Sequence, residues 1–148
     1  MFITQISVYL ENSRGTLRTL TKTLGENNID ILALSIADTT NFGIVRFVAR
    51  EADIEKAMLV LRENGFVAKI NHVLCTAVPN QPAGLDSVLA IIEENDISIE
   101  YMYSLNYIIG NKALIVLRLS AEKMDKEEIA RLLSAKVLLV SQEEINRL

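Results

Sequence analysis

Cysteine and histidine occur once each in this 148-residue chain, as Cys75 and His72. One thiol cannot close an internal disulfide, and one thiol with one imidazole cannot build a His/Cys metal cluster or a C-x-x-C pair. The setting of Cys75, VLCTAV, is that of a buried apolar residue, and the sequence places no acid or nucleophile beside His72. Also absent are the G-x-x-x-x-G-K-[ST], G-x-G-x-x-G, G-x-S-x-G and H-E-x-x-H patterns, which would mark a phosphate cradle, a dinucleotide site, a nucleophile elbow or a zinc helix. The adjacent carboxylates Glu93–Glu94 and Glu143–Glu144 do not point at one another on a helix, and solvated helix faces account for them. No catalytic residue, metal ligand or cofactor is assigned, and the chain is not read as an enzyme.

Blocks of one charge are missing as well. The net charge is −4 with both signs interspersed. Phosphate binding needs clustered Lys and Arg, so neither nucleic acid nor a membrane surface is an expected partner. Apolar runs such as Ala113–Leu117 fall far short of the roughly 20 residues needed to span a bilayer. The N-terminal MFITQISVYLE has no basic segment or small-residue cleavage site, and the expected location is cytoplasmic.

What is present is a repetition. ENNIDI at 26–31 matches ENDISI at 94–99, an offset of 68 from Glu26 to Glu94. The same offset aligns Leu17 with Leu85, Leu20 with Val88 and Leu24 with Ile92; upstream it aligns Ile6, Val8 and Leu10 with Leu74, Thr76 and Val78. Agreement across strand, helix and turn features together marks a duplication.

In the first half, the alternation in ITQISVYL predicts a strand, and Leu17, Leu20 and Leu24 predict a helix over 15–26. Strands at 31–37 and 44–49 follow, with their turn at 38–43. Asp53 is the expected N-cap of a second helix bearing Ile54, Ala57, Met58 and Leu61, with Gly65 as its stop and a strand at 66–70 after it. The second half predicts a strand at 73–78, a helix at 85–94, strands near 99–105 and 113–119, a helix at about 125–134, a strand at 137–140 and a short terminal helical turn. Two extra residues around 107–111 lengthen its hairpin.

The fold class is therefore α+β: two ferredoxin-like βαββαβ units, residues 1–71 and 72–148. Their antiparallel sheets are expected to pack together. KINHVL between them holds neither Gly nor Pro, and about 70 residues make a marginal core alone.

A ferredoxin-like fold names no function, so the site must. FGIVRF at 42–47 matches part of an RNA-recognition strand, but the basic pair before it is replaced by Thr40 and Asn41, and the middle stacking position is Ile44. RNA binding is the weaker alternative. The duplicated loops say more. Each opens a helix, where free backbone N–H groups and the positive end of the dipole suit a carboxylate. Gly lets the backbone approach a ligand, and the amides of Asn12 and Asn80 can meet an ammonium. Asn and Gly are also simply good turn residues. The signal is the arrangement occurring twice.

On these residues the chain resembles a tandem ACT-domain protein. The family's loop motif is roughly D/N-x-P-G-x-L. Asn12, Gly15 and Leu17 match it, with Arg14 where Pro is usual. Asn80, Pro82 and Leu85 match it, with Ala83 at the Gly position and Gly84 one place later. NIDI at 28–31 and DISI at 96–99 resemble the family's start of the next strand.

The resemblance implies a non-catalytic, allosteric regulatory protein that binds an amino acid where units pair side by side, as in a homodimer. Ligands of the family contact the first loop of one unit and the second strand of a neighbour. The implied ligand-binding residues are Asn12, Ser13, Arg14, Gly15, Thr16 and Leu17 in one loop, and Asn80, Gln81, Pro82, Ala83, Gly84 and Leu85 in the other. The implied walls are Leu34, Ser35 and Ile36, and Met102, Tyr103 and Ser104. The departures at Arg14 and Ala83 predict unequal sites. The alternative is an interaction subunit for an enzyme partner, similar to the small regulatory subunit of acetolactate synthase, which resembles only the first half.

Overall fold

Strand β1 (Ile3–Glu11) has two faces because its residues alternate: Ile6, Val8 and Leu10 are buried in the core while Tyr9 is exposed. The structure is a computed structural model that describes residues 1–11, 13–38 and 42–148. It divides into two units, Thr4–Asn71, and His72–Leu148 together with Met1–Ile3.

The first unit holds most of β1, then α1 (Thr16–Glu26), β2 (Ala33–Asp38), β3 (Phe42–Val48), α2 (Glu51–Glu63) and the first part of β4 (Val67–Pro79). Its strand order is β2-β3-β1-β4. Antiparallel register pairs Ile6 with Phe47 and Val8 with Val45. Against these four pack Leu20 and Leu24 of α1 and Ile54, Ala57 and Leu61 of α2, all buried. Each of the large aliphatic side chains contributes about 1.5–3 kcal/mol by leaving water.

α2 begins earlier than the sequence predicts. Arg50 is the N-cap, and Asp53 lies in the first turn, its N–H donating to the Arg50 carbonyl at 2.9 Å. Glu51 and Asp53 complement the helix dipole there, which makes a capping side chain dispensable.

The repeated Glu-Asn-Asn/Asp-Ile motif is a helix terminator. Asn27 Nδ2 donates to the Thr23 carbonyl at 2.8 Å, Asn28 turns left-handed at φ 57°, and the Ile29 N–H returns to the Leu24 carbonyl at 3.0 Å. The second unit repeats each element: Asn95 Nδ2 to Ile91 O at 2.6 Å, Asp96 at φ 55°, Ile97 N–H to Ile92 O at 3.2 Å. Asn and Asp are the non-glycine residues that tolerate this conformation best.

Two strand expectations need correction. The predicted strands at 66–70 and 73–78 are one 13-residue strand, β4, that begins in the first unit and continues into the second. Nothing in KINHVL breaks an extended chain, and Ser7 Oγ holds Asn71 Oδ1 at 2.7 Å. The predicted strand at 137–140 is only a single bridge, Leu139 to Thr76. The Ala77 N–H donates to Leu138 O at 3.0 Å and the Val140 N–H to Cys75 O at 2.8 Å, and then Ser141 caps a new helix and turns the chain away.

The second unit continues with α3 (Gly84–Glu94), β5 (Ser98–Ile109), β6 (Lys112–Ser120), α4 (Lys126–Ser134) and α5 (Gln142–Asn146). Its strand order is β4-β6-β5, and register shifts in β5 between Ile99 and Tyr101 and between Ser104 and Ile108 take up the lengthened hairpin. Asp125 and Glu128 form a reciprocal capping box at the start of α4. Leu74, Val78, Ile115 and Leu117 pack with Val88, Ile92, Ile129 and Leu133. The pleat sends the intervening pairs, Cys75–Val116 and Ala77–Leu114, to the sheet's other face. The charge of Glu144, on α5, reaches Cys75; burial first and that charge second push the thiol up to about 12.

Candidate functional site

The two strand-exit loops have one backbone and two chemistries. Gly15 turns left-handed at φ 86° before α1, and Ala83, 68 residues on, does so at φ 64° before α3. Ser13 N–H donates to Glu11 O at 2.8 Å and Gln81 N–H to Pro79 O at 2.9 Å; Thr19 N–H donates to Gly15 O at 3.0 Å and Ser87 N–H to Ala83 O at 3.1 Å. Ala83 therefore fills the role of Gly15, in spite of its side chain. Gly84 has another role: a Cβ there would lie 1.9 Å from the Pro79 carbonyl oxygen. It is glycine because the helix start is pressed against the end of β4.

Among the described residues no side chain caps either helix. The first turn of α1 contains no acidic residue, whereas that of α3 contains Asp86. At the offset of 68, Arg14 and Arg18 stand opposite Pro82 and Asp86. A carboxylate would meet free N–H groups and positive charge at the first loop, and a like charge at the second.

A cleft of about 490 Å³ lies beside the first loop. Glu11, Arg14, Gly15, Thr16 and Thr19 form one side, with Tyr9 and Leu10 from β1, and the turn 64–67 after α2 forms the other. Its volume falls within the usual range for small-molecule sites. The sequence reading missed Tyr9, Leu10, Glu11, Thr19 and the 64–67 turn. The topology could have supplied that turn, because a βαββαβ unit sets the start of its fourth strand beside the end of its first.

The remaining predicted residues are dispersed. Asn12 lies outside the described residues. Ser13 is exposed, its hydroxyl 2.7 Å from that of Thr16, and Leu17 is partly exposed. Asn80, Gln81 and Pro82 are exposed, Asn80 giving its N–H to Asn111 O at 2.9 Å, and Leu85 packs on the second core. The apolar cavity of that unit includes Pro79 but none of 80–85. Leu34 packs on the first core, Ser35 is half-buried and Ile36 is exposed; none of the three lines the 490 Å³ cleft. Strand β3 separates their strand from β1. In the second unit Met102 packs on the core, Tyr103 stacks with Tyr101 at 6.5 Å, and Ser104 is exposed. Within a single unit, loop and strand wall do not meet.

His72 is exposed, and its carbonyl accepts from Arg118 Nη1 at 3.3 Å. Among the described residues no group of three or more His, Cys, Asp or Glu side chains could hold a metal ion, and no helix is long and apolar enough to cross a membrane.

Comparison with known proteins agrees with this architecture. The family profile described as an ACT domain pair matches residues 1–148. The solved structure of protein BT0572 from Bacteroides thetaiotaomicron is 34% identical, with a TM-score of 0.85, over 100% of this chain and 98% of that one. The regulatory subunit of aspartate kinase from Thermus thermophilus is 15% identical with a TM-score of 0.60, over 89% of each chain, and that from Thermus flavus is 14% identical with a TM-score of 0.58, over 89% and 90%. These two similarities show the shared fold. No curated protein matches the sequence. With two copies of one loop, one helix terminator and one strand order, and a profile match from end to end, the chain belongs to the ACT domain family, as an ACT domain pair.

Proposed function

We infer that this ACT domain pair is a non-catalytic regulatory protein that binds an amino acid at the loop opening α1. The observation that carries the reading is the first loop itself: an uncapped helix N-terminus without first-turn acids, beside Arg14, on a cleft of about 490 Å³. Backbone N–H groups and Arg14 receive the ligand carboxylate, and Glu11 faces its ammonium. The second loop, with Asp86 in the first turn of α3, is the weaker seat.

In this reading the protein is a cytoplasmic homodimer. A neighbouring copy supplies the strand wall that one unit lacks, and the ligand acts allosterically by changing how copies pair. Calorimetric titration with each of the twenty amino acids tests the proposal. One of them binds, and Arg14→Ala weakens it by about tenfold or more, about 1.4 kcal/mol. Binding that is indifferent to Arg14→Ala would move the site elsewhere.

The second reading is an interaction subunit for an amino-acid biosynthetic enzyme. It is favoured by the fold shared with proteins named as regulatory subunits of aspartate kinase. No binding by any amino acid, together with stable co-purification of an enzyme, would select it.

A further inference from the structure

The sheet face of the second unit that is turned away from α3 and α4 contains a cavity of about 390 Å³, and nothing in the loop reading uses it. Ala77 and Leu114 line it from the sheet, Leu138 and Val140 from the segment before α5, and Lys112 and Glu144 are its charged lining residues. The duplication shows how the space arises. Tyr9 holds the position of Ala77 in the first unit and pairs with Ile44 across β3 as Ala77 pairs with Leu114 across β6. The second copy has a methyl group where the first has a phenol ring.

The two charges are of opposite sign. Glu144 Oε2 is taken by the Ser141 N–H and hydroxyl, at 2.7 and 2.8 Å, which leaves Oε1 for another donor. Lys112 is exposed and forms no ion pair among the described residues. An aliphatic body with a carboxylate and an ammonium at one end complements these walls and charges.

We propose that this cavity is a second ligand site, specific for an aliphatic α-amino acid, with Lys112 on its carboxylate, Glu144 on its ammonium, and Ala77, Leu114, Leu138 and Val140 around its side chain. The choice of an amino acid rests on the regulatory reading above; the site itself does not depend on the first loop.

The test is a titration of the ¹⁵N-labelled full chain with leucine, read by amide shifts. Leucine moves Ala77, Leu114 and Val140, while 4-methyl-2-oxopentanoate, which has no ammonium, leaves them in place at the same concentration. Ala77→Tyr restores the ring of the other copy and abolishes those shifts; its amide spectrum reports whether it is folded. Lys112→Ala, a surface change that leaves folding intact, weakens leucine about tenfold or more. Shifts confined to Gly15 and Thr16 would overturn the second site and keep the loop reading. Shifts confined to Ala77, Leu114 and Val140 would establish the second site without the loop. No response to leucine at either place would overturn the second site, with the loop still judged by the other nineteen amino acids.

Discussion

Gly84 and Gly25 are both helical, and the same substitution by alanine should act on them with opposite sign. At Gly84 the new Cβ would lie 1.9 Å from the Pro79 carbonyl oxygen, 2.9 Å from its carbon and 3.3 Å from its Cβ. The obstacle is backbone, so no rotamer change relieves it, and α3 or the end of β4 must shift by roughly 1 Å to restore contact distance. Overpacking of this kind costs about 1–3 kcal/mol or more, against about 1 kcal/mol of improved helix propensity. The contact is at the severe end, so Gly84→Ala should lose about 2 kcal/mol net. At Gly25 a Cβ meets nothing within 4 Å and φ is not positive, so only propensity acts and Gly25→Ala should gain about 0.5–1 kcal/mol. Urea denaturation of both variants beside the wild type measures the pair. A Gly84→Ala protein within 0.5 kcal/mol of wild type would refute the tight seating of α3 on Pro79.

The left-handed residues of the two loops give a second opposed pair. Gly15→Ala should cost about 1–2 kcal/mol for placing a side chain at φ 86°, while Ala83→Gly should be neutral or stabilise by up to about 1 kcal/mol, strain relief offset by unfolded-state entropy; denaturant midpoints give both signs. Cys75, with its thiol pushed up to about 12, should resist iodoacetamide at pH 8 in the native protein and react once urea unfolds it; fast native labelling would contradict its burial. Hydrogen bonds from the Ser141 N–H, then its hydroxyl, hold the Glu144 carboxyl below its ordinary value, and Arg147 adds to this. A folded-state pKa below the unfolded one stabilises above the unfolded value and loses that contribution as pH falls through the folded one. The stability gap between wild type and Glu144→Gln should therefore be widest near neutral pH and narrow as pH falls below the ordinary carboxylate range; a gap unchanged with pH would remove the carboxylate from the account.

Much of the fold was legible because the duplication presents it twice. Glu-Asn-Asn-Ile and Glu-Asn-Asp-Ile were visible as a match, and each is a helix terminator with the same hydrogen bonds and the same left-handed residue. Periodicity located the helices and strands to within a few residues. Where it failed, a non-local contact was decisive. Nothing local distinguishes one strand across KINHVL from two, since the pairing of Ser7 with Asn71 spans 64 residues. Val137–Val140 has the composition of a strand, yet the Ser141 cap ends its pairing after one bridge. In the loops, the glycines stand one place out of register because conformation and packing need not fall on one residue. They fall on two, Ala83 for the turn and Gly84 for the contact. The cavity around Ala77 had no signature in periodicity, although the contrast with Tyr9 at the repeat offset was there to be read.

The helix terminators bear on how a signal could leave the loops. To lengthen or fray, α1 would have to give up the Asn27 side-chain bond and the Ile29 return bond and move Asn28 out of its left-handed well at the same time. Fraying from the C-terminal end is opposed by all three at once, and α3 is held there in the same way. A ligand bound at the N-terminus, as proposed, would act on a helix clamped at its far end, at Asn28 or Asp96, which favours movement of the helix as a unit. Transmission by displacement rather than by unwinding is what such a clamp selects.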